Sequence, residues 1–334
     1  MKSWKSWIGL ALSALFLWMA FRNIDWTDFG RSLAHISLIP LFGAMAVVMV
    51  TLMIRGFRWT FLIKPVMPCS PVTLFWSTTI GFAINNVMPA RLGELARTYS
   101  ASRRTGAAFG SVFGTIVVER LYDTFTALFL FASLLAFADF PDIDRIFPVG
   151  QGKVAIVLGA GGGGLLAAIL LLKFRTEFFL RVASFFLKPL PERWSRKMIV
   201  LFRSFIAGLT QSSKPQDILA VLGLSVGIWV ISALNVFLAV YSFGVALSPS
   251  AVIILLSAII VSVAIPAAPG YVGVYHYLAQ QALVAYVGMD PAKALSIAVV
   301  VHASNYIPQT LVGLLRFAYE GMSVKQIQDL KSAP

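Results

Sequence analysis

Charge is scarce in this sequence. Of its 334 residues, 12% are Asp, Glu, Lys or Arg, about half the share of an ordinary soluble domain. With 58% hydrophobic residues, so little charge cannot cover a large water-facing surface. A sizeable soluble domain is therefore excluded, and any chemistry must be done by groups within or just beside a membrane. Cysteine is scarcer still: Cys69 stands alone, which excludes an intrachain disulfide and a multi-thiolate metal site. No nucleophile elbow, Walker loop or zinc-ligand spacing occurs, and GAGGGG (159–164) follows no strand pattern that would make it a dinucleotide turn. No metal and no cofactor is expected. Acidic residues number 14 against 27 basic ones, for a net charge of +13. The basic residues flank apolar runs, where the positive-inside rule and anionic lipid heads place them, so nucleic acid is not an expected partner.

Apolar runs of membrane-spanning length are what the chain does have. They cover about 7–21, 37–54, 109–138, 153–172, 217–243 and 291–319. The first lacks a small-x-small cleavage site and reads as a retained span rather than a signal peptide. RGFRWTFLIKP (55–65), with Arg55, Arg58 and Lys64, reads as an interfacial helix. FFLRVASFFLKPL (178–190) reads as an amphipathic surface segment. The stretch 23–36, with Asp25, Asp28 and Arg31, reads as a polar loop.

Basic residues at the N-terminus, 55–64, 91–104, 173–214 and the tail place these segments, and both termini, on the cytoplasmic side. The apolar stretch 71–90 then lies between two cytoplasmic segments, so 71–98 should enter and return as a re-entrant hairpin. By the same logic 251–288 enters and returns from outside. The two tips, VMPARLGE (87–94) and AIPAAPGY (264–271), share P-A-x-x-G. The expected fold is an all-α polytopic membrane protein, a single transmembrane domain over 1–334, with about six full spans and two re-entrant hairpins. Units 37–138 and 217–320 form an inverted repeat joined by 139–216.

The polar residues within these hairpins are the candidates for function. In INNVMPARLGELAR (84–97), Pro89 and Gly93 break the helix beside Asn85 and Asn86. Arg91, Glu94 and Arg97 follow at helical spacing, where a helix N-terminus and guanidinium forks suit an anion. The same residues also fit a cytoplasmic loop, Arg97 as readily as a site. IVVERLYDTF (116–125) puts Glu119 and Asp123 one turn apart, with Arg120 about 100° round. Such charges face either a cavity or a structural ion pair. Pro266, Pro269, Gly270 and Gly273 break the second hairpin. His276 and, in the last span, His302 and Asn305 serve either packing or anion and proton contacts. The four glycines at 161–164 suit close helix packing.

Three motifs, NVMPARLGELAR, ERLYD and PAAPGYVG, together resemble the lysylphosphatidylglycerol synthase transmembrane region, a flippase-like family, over nearly the whole chain. The resemblance implies a lipid transporter rather than an enzyme. It would move an anionic, phosphate-bearing lipid or lipid-linked head group across the cytoplasmic (inner) membrane, with Arg91 and Arg120 on the phosphate. No room remains for the family's soluble aminoacyl-transferase domain, so lysyl-lipid synthesis is not expected. The family's second hairpin commonly ends PGGxGxxE and its last span carries an arginine; this chain has Tyr271, His276 and His302 at those places. The two histidines are thus expected to approach each other in place of an acid–base pair. Expected partners are anionic membrane lipids, with a homodimer or a lipid-modifying enzyme beyond them. The competing readings are an ion-coupled small-solute transporter, an intramembrane enzyme on a lipid-linked substrate, and an accessory subunit.

Overall fold

The computed structural model describes residues 4–88, 92–137, 150–187, 214–265 and 267–323, with Glu192, Ile199 and Gln326. In chain order its helices are α1 (Trp4–Phe21), α2 (Trp26–Ala34), α3 (Leu38–Ile63), α4 (Pro71–Val87), α5 (Gly93–Thr105), α6 (Phe109–Phe137), α7 (Gln151–Phe174), α8 (Thr176–Leu187), α9 (Pro215–Tyr241), α10 (Pro249–Ala264), α11 (Val274–Ala282) and α12 (Pro291–Tyr319). No strand occurs among the described residues. Local chemistry sets several of the starts. Ser70, Ser248 and Asp290 each precede a proline, and their side-chain oxygens accept first-turn N–H groups of Thr73, Ala251, and Ala292 with Lys293. A proline at the first helical position sacrifices no bond.

Helices α3, α9 and α12 are long and apolar enough to cross a membrane by length and composition. Helices α4, α5, α10 and α11 have 17, 13, 16 and 9 residues. At 1.5 Å per residue they reach roughly 14–26 Å, short of a hydrocarbon core of about 30 Å. They come as two hairpins. In the first, α4 and α5 run antiparallel: Gly93 N–H donates to Asn85 Oδ1 at 2.8 Å, and Ser77 Oγ meets Ser100 Oγ at 3.0 Å further from the tip. In the second, α10 and α11 flank a break at 265–273 that contains a 3-10 turn, Pro269–Tyr271. A π-helical turn, Leu283–Val287, closes it.

Both tips reach the middle of α12. Asn86 Nδ2, at the end of α4, donates to Thr310 Oγ1 at 2.7 Å, and its backbone carbonyl accepts from the Tyr306 hydroxyl at 3.3 Å. Gly270, at φ +71°, lies under the Tyr306 ring, where a Cβ would come within 2.7 Å of the ring edge. The second tip also rests on the middle of α1, where Ala268 N–H donates to Ser13 Oγ at 2.8 Å. A long helix, a hairpin and a long helix (α3 to α6, then α9 to α12) occur in the same order twice, and α3 packs along α9.

Three expectations change. RGFRWTFLIKP is no separate interfacial helix: α3 continues unbroken through Ile63, because Gly56 lets its backbone settle against Phe75 of α4. The stretch 23–36 is largely helical, since Asp25 caps α2 by accepting from Thr27 and Asp28 N–H groups at 2.8 and 3.1 Å. Of the four glycines at 161–164, only Gly162 packs closely, on Leu128; nothing lies within 4 Å of where a Cβ would stand at the other three. The acid-rich loop 139–149 and the basic segment 188–213 lie outside the described residues, apart from Glu192 and Ile199.

Candidate functional site

Helix α6 turns Glu119 and Asp123 toward α3 and α5, and four arginines converge on them. Arg97 of α5 forks Glu119, with Nη1 and Nη2 at 3.0 and 2.7 Å from the two carboxylate oxygens. Arg58 of α3 reaches Glu119 at 3.2 Å and also pairs with Asp123 and with Ser225 Oγ of α9. Arg55 pairs with Asp123 at 3.0 Å. Arg120 pairs with Glu94 at 3.2 Å and lies 3.6 Å from Asp123. Arg58, Arg97 and Glu119 are at most 1% exposed. The Arg97 guanidinium stacks 3.9 Å over the Trp59 ring, whose indole N–H donates to Thr115 at 2.9 Å.

Charges this deep persist only when paired or when they face a cavity. Both conditions hold here. Four guanidinium groups meet three carboxylates among the described residues, leaving one positive charge. The Nε atoms of Arg58, Arg97 and Arg120 are buried without a hydrogen-bond partner among the described residues. Arg55 opens onto a cavity of about 80 Å³ between α3, α4, α9 and α12, lined also by Thr51, Phe82, Ser232, Asn235, Asn305 and Gln309. Phe82 is common to Arg55 and Arg120. The Arg55 and Arg120 guanidinium carbons stand 5.5 and 5.6 Å from its ring centre.

The histidines form a second group. His302 Nδ1 and His276 Nε2 are 3.1 Å apart, so the two rings do approach each other. Gly273 N–H points at His276 Nδ1 at 3.5 Å. If Gly273 is the donor, His276 carries its proton on Nε2 and donates to His302. The pair thereby fastens the second hairpin's break to α12, with Tyr275 stacked on His302 at 4.4 Å between centroids.

The structure thus joins Asn85, Glu94, Arg97, Glu119, Arg120 and Asp123 in one network, places Asn305 on the cavity wall, and sets Asn86 where the two tips meet. Arg91, Pro89 and Pro266 lie outside the described residues. The first N–H of α5 is not open to an anion, because Asn85 occupies it. Arg97 is no loop residue; it is among the most buried side chains in the chain. Arg55 and Arg58 were readable only as interfacial charges. The signal that marks them is two arginines three residues apart beside a tryptophan, in an apolar run with no proline between. Gln309 and Asn235, amides within otherwise apolar helices, carried a similar signal.

The model of a family described as lysylphosphatidylglycerol synthase TM region matches residues 6–313. A UPF0104 membrane protein of Methanothermobacter thermautotrophicus is 25% identical over 304 residues, covering 86% of this chain and 88% of that protein. Glycosyltransferase AglD of Haloferax volcanii is 25% identical over 243 residues, covering 66% of this chain and 39% of that protein. No solved structure matches.

Proposed function

The chain belongs to the family of the lysylphosphatidylglycerol synthase transmembrane region, and on that premise we propose that it moves an anionic, phosphate-bearing lipid head group across the cytoplasmic membrane. The observation that carries the reading is the unbalanced guanidinium charge beside a polar cavity, at the level where two short hairpins meet. Arg55 and Arg120 contact the phosphate, and the carboxylates hold the guanidinium forks in place. The lipid tails stay in the bilayer. The hairpins are re-entrant, with both termini cytoplasmic, and access alternates as one long-helix and hairpin unit shifts against the other.

The test is movement of a fluorescent phosphatidylglycerol across vesicles containing the purified protein, read as protection from an impermeant quencher. Arg55→Gln and Arg120→Gln each remove a charge-assisted contact worth about 1.5–3 kcal/mol, so each should slow movement by roughly tenfold or more. Wild-type rates in both folded variants, or equal movement of fluorescent phosphatidylcholine, would overturn the reading.

A further inference from the structure

We propose that the His276–His302 pair is a proton-binding site, and that taking up one proton loosens the second hairpin's break from its seat on α12. The proton site stands on the geometry of the pair. Its coupling to lipid movement rests on the lipid-transport reading.

A neutral imidazole has one N–H and one lone pair. The Gly273 N–H, 3.5 Å from His276 Nδ1, takes the lone pair of that ring. His276 Nε2 then carries the proton and donates across 3.1 Å to His302 Nδ1, which takes the second lone pair. Both lone pairs are thus committed to bonds that hold the break. A further proton binds only at a lone pair, so it must displace one of those bonds. At His276 Nδ1 it sets a ring N–H against the Gly273 N–H. At His302 Nδ1 it sets two ring N–H groups face to face, unless His276 shifts its proton to Nδ1 and meets Gly273 again. No singly protonated form keeps both bonds.

The surroundings turn that charge against the closed arrangement. His276 is the third residue of α11, where free backbone N–H groups already present positive potential. Among the described residues no carboxylate pairs with either ring. The break brings Tyr271, α11 brings Tyr275 and Tyr277, and α12 brings Tyr306; residues 9–21 of α1 and all of α4 and α10 bring no titratable side chain. Lys293 and Arg316 stand nine and fourteen residues from His302 along α12, roughly 14 and 21 Å. Asp217 and Tyr241 lie at the ends of α9, and Asp28 and Arg31 of α2 pair with each other in the open. Arg55 of α3 faces the cavity that Asn305 lines, about one turn from His302, and its charge has the same sign as the added proton.

The break is a segment held by its contacts. Gly270, Tyr271 and Gly273 have φ of +71°, +56° and +92°, and for a tyrosine that conformation is strained. Tyr306, whose ring centre is 5.3 Å from that of His302, touches both tips: its hydroxyl donates to the Asn86 carbonyl and its ring covers Gly270. A proton on the pair therefore acts where the two hairpins meet.

The closed arrangement binds fewer protons than the loosened one, so its stability falls as pH falls, by up to tenfold in the opening equilibrium per pH unit. The experiment is hydrogen–deuterium exchange of the detergent-solubilised protein between about pH 7.5 and 5, each rate divided by the intrinsic rate at that pH. Peptides covering 268–278 should lose protection by about tenfold or more, while peptides of α5 keep theirs. In the double variant His276→Gln, His302→Asn, whose amides take up no proton, protection at 268–278 should be the same at both ends of the range. Nitrogen NMR of histidine-labelled protein reads the proton itself: the two ring signals should shift together as protection falls, with the exposed His35 as reference. Protection at 268–278 that ignores pH, an equal loss in α5, the same pH response in the double variant, or a loss with no shift of the two rings would each overturn the proton site. In vesicles, movement of fluorescent phosphatidylglycerol should vary with pH in the parent and not in the double variant. Movement that ignores pH beside pH-dependent protection upholds the site and overturns its coupling to lipid. No movement at any pH beside that protection upholds the site and overturns the lipid-transport reading.

Discussion

Glu119 is where the buried charges converge. Its two oxygens accept from Arg97, and Arg58 stands 3.2 Å away, all three side chains out of contact with solvent. Breaking a buried pair from one side leaves an uncompensated charge at a cost of about 3–5 kcal/mol. Glu119→Gln is isosteric and leaves two buried guanidinium groups facing a neutral amide. It should lower the thermal unfolding midpoint in detergent by well over the shift from an exposed substitution such as Thr124→Ala, and an unchanged midpoint would sink this account. The carboxylate could be read from sequence because it interrupts an apolar run. One of its partners could not: Arg58, like Arg55 beside it, sits near the end of such a run, where the positive-inside rule sends an arginine into water. Only the approach of α6 to α3 shows that they turn inward, and that approach is a tertiary fact with no local sequence mark.

Between elements, the closest packing is at the first hairpin. A Cβ on Gly93 would fall within van der Waals contact of the Gly81 carbonyl and the Asn85 side chain, and one on Gly81 would stand 2.8 Å from Arg97 Cβ. Gly93→Ala must therefore push α5 off α4 and carry Arg97 away from Glu119. A large drop in unfolding temperature is expected, together with loss of lipid movement. Gly161→Ala is the contrasting case: nothing lies within 4 Å, and replacing a mid-helix glycine is worth about 0.5–1 kcal/mol of helix stability. That variant should be as stable as the parent or more so; destabilisation would show that the face is packed. Both outcomes bear on what sequence can tell. A Pro–Gly break in an apolar run announces a hairpin. Whether a glycine run packs depends on the neighbour, and of 161–164 only Gly162 meets one. A further signal went unused: Ser-Pro opens α4 and α10 alike, with the serine capping each, and it aligns the two hairpins at their starts as P-A-x-x-G aligns them at their tips.

At the scale of the molecule, charge separates the two ends of the bundle. Lys64 approaches Asp217 at 3.8 Å, and Arg104 meets Glu320 at 2.6 Å with Arg316 on the same carboxylate. The end of α3, the starts of α4 and α9 and the ends of α5 and α12 therefore gather on one basic side. At the other end Ser37 N–H bonds the Ser242 carbonyl, and Ser296 of α12 reaches Phe29 of α2. Such a separation is legible from sequence because it depends on charge order alone; among the described residues the structure joins the ends of 55–64 and 91–104 to the starts and ends of α9 and α12. The basic end should face the cytoplasm, and Cys69, between α3 and α4, reports on it. A membrane-impermeant maleimide should label Cys69 in inside-out vesicles and not in intact cells. Burial pushes the thiol above its ordinary range, so less thiolate exists at neutral pH. Labelling should therefore start slowly and accelerate as pH rises, by nearly tenfold per unit below the thiol's pKa. Met67→Cys in a Cys69→Ala background places a thiol on a residue 38% exposed. It should label from the same side and faster at pH 7, so that slow reaction at Cys69 reads as burial rather than as the wrong side. Labelling of either thiol from outside intact cells would invert the whole arrangement, and with it the side from which the first hairpin opens.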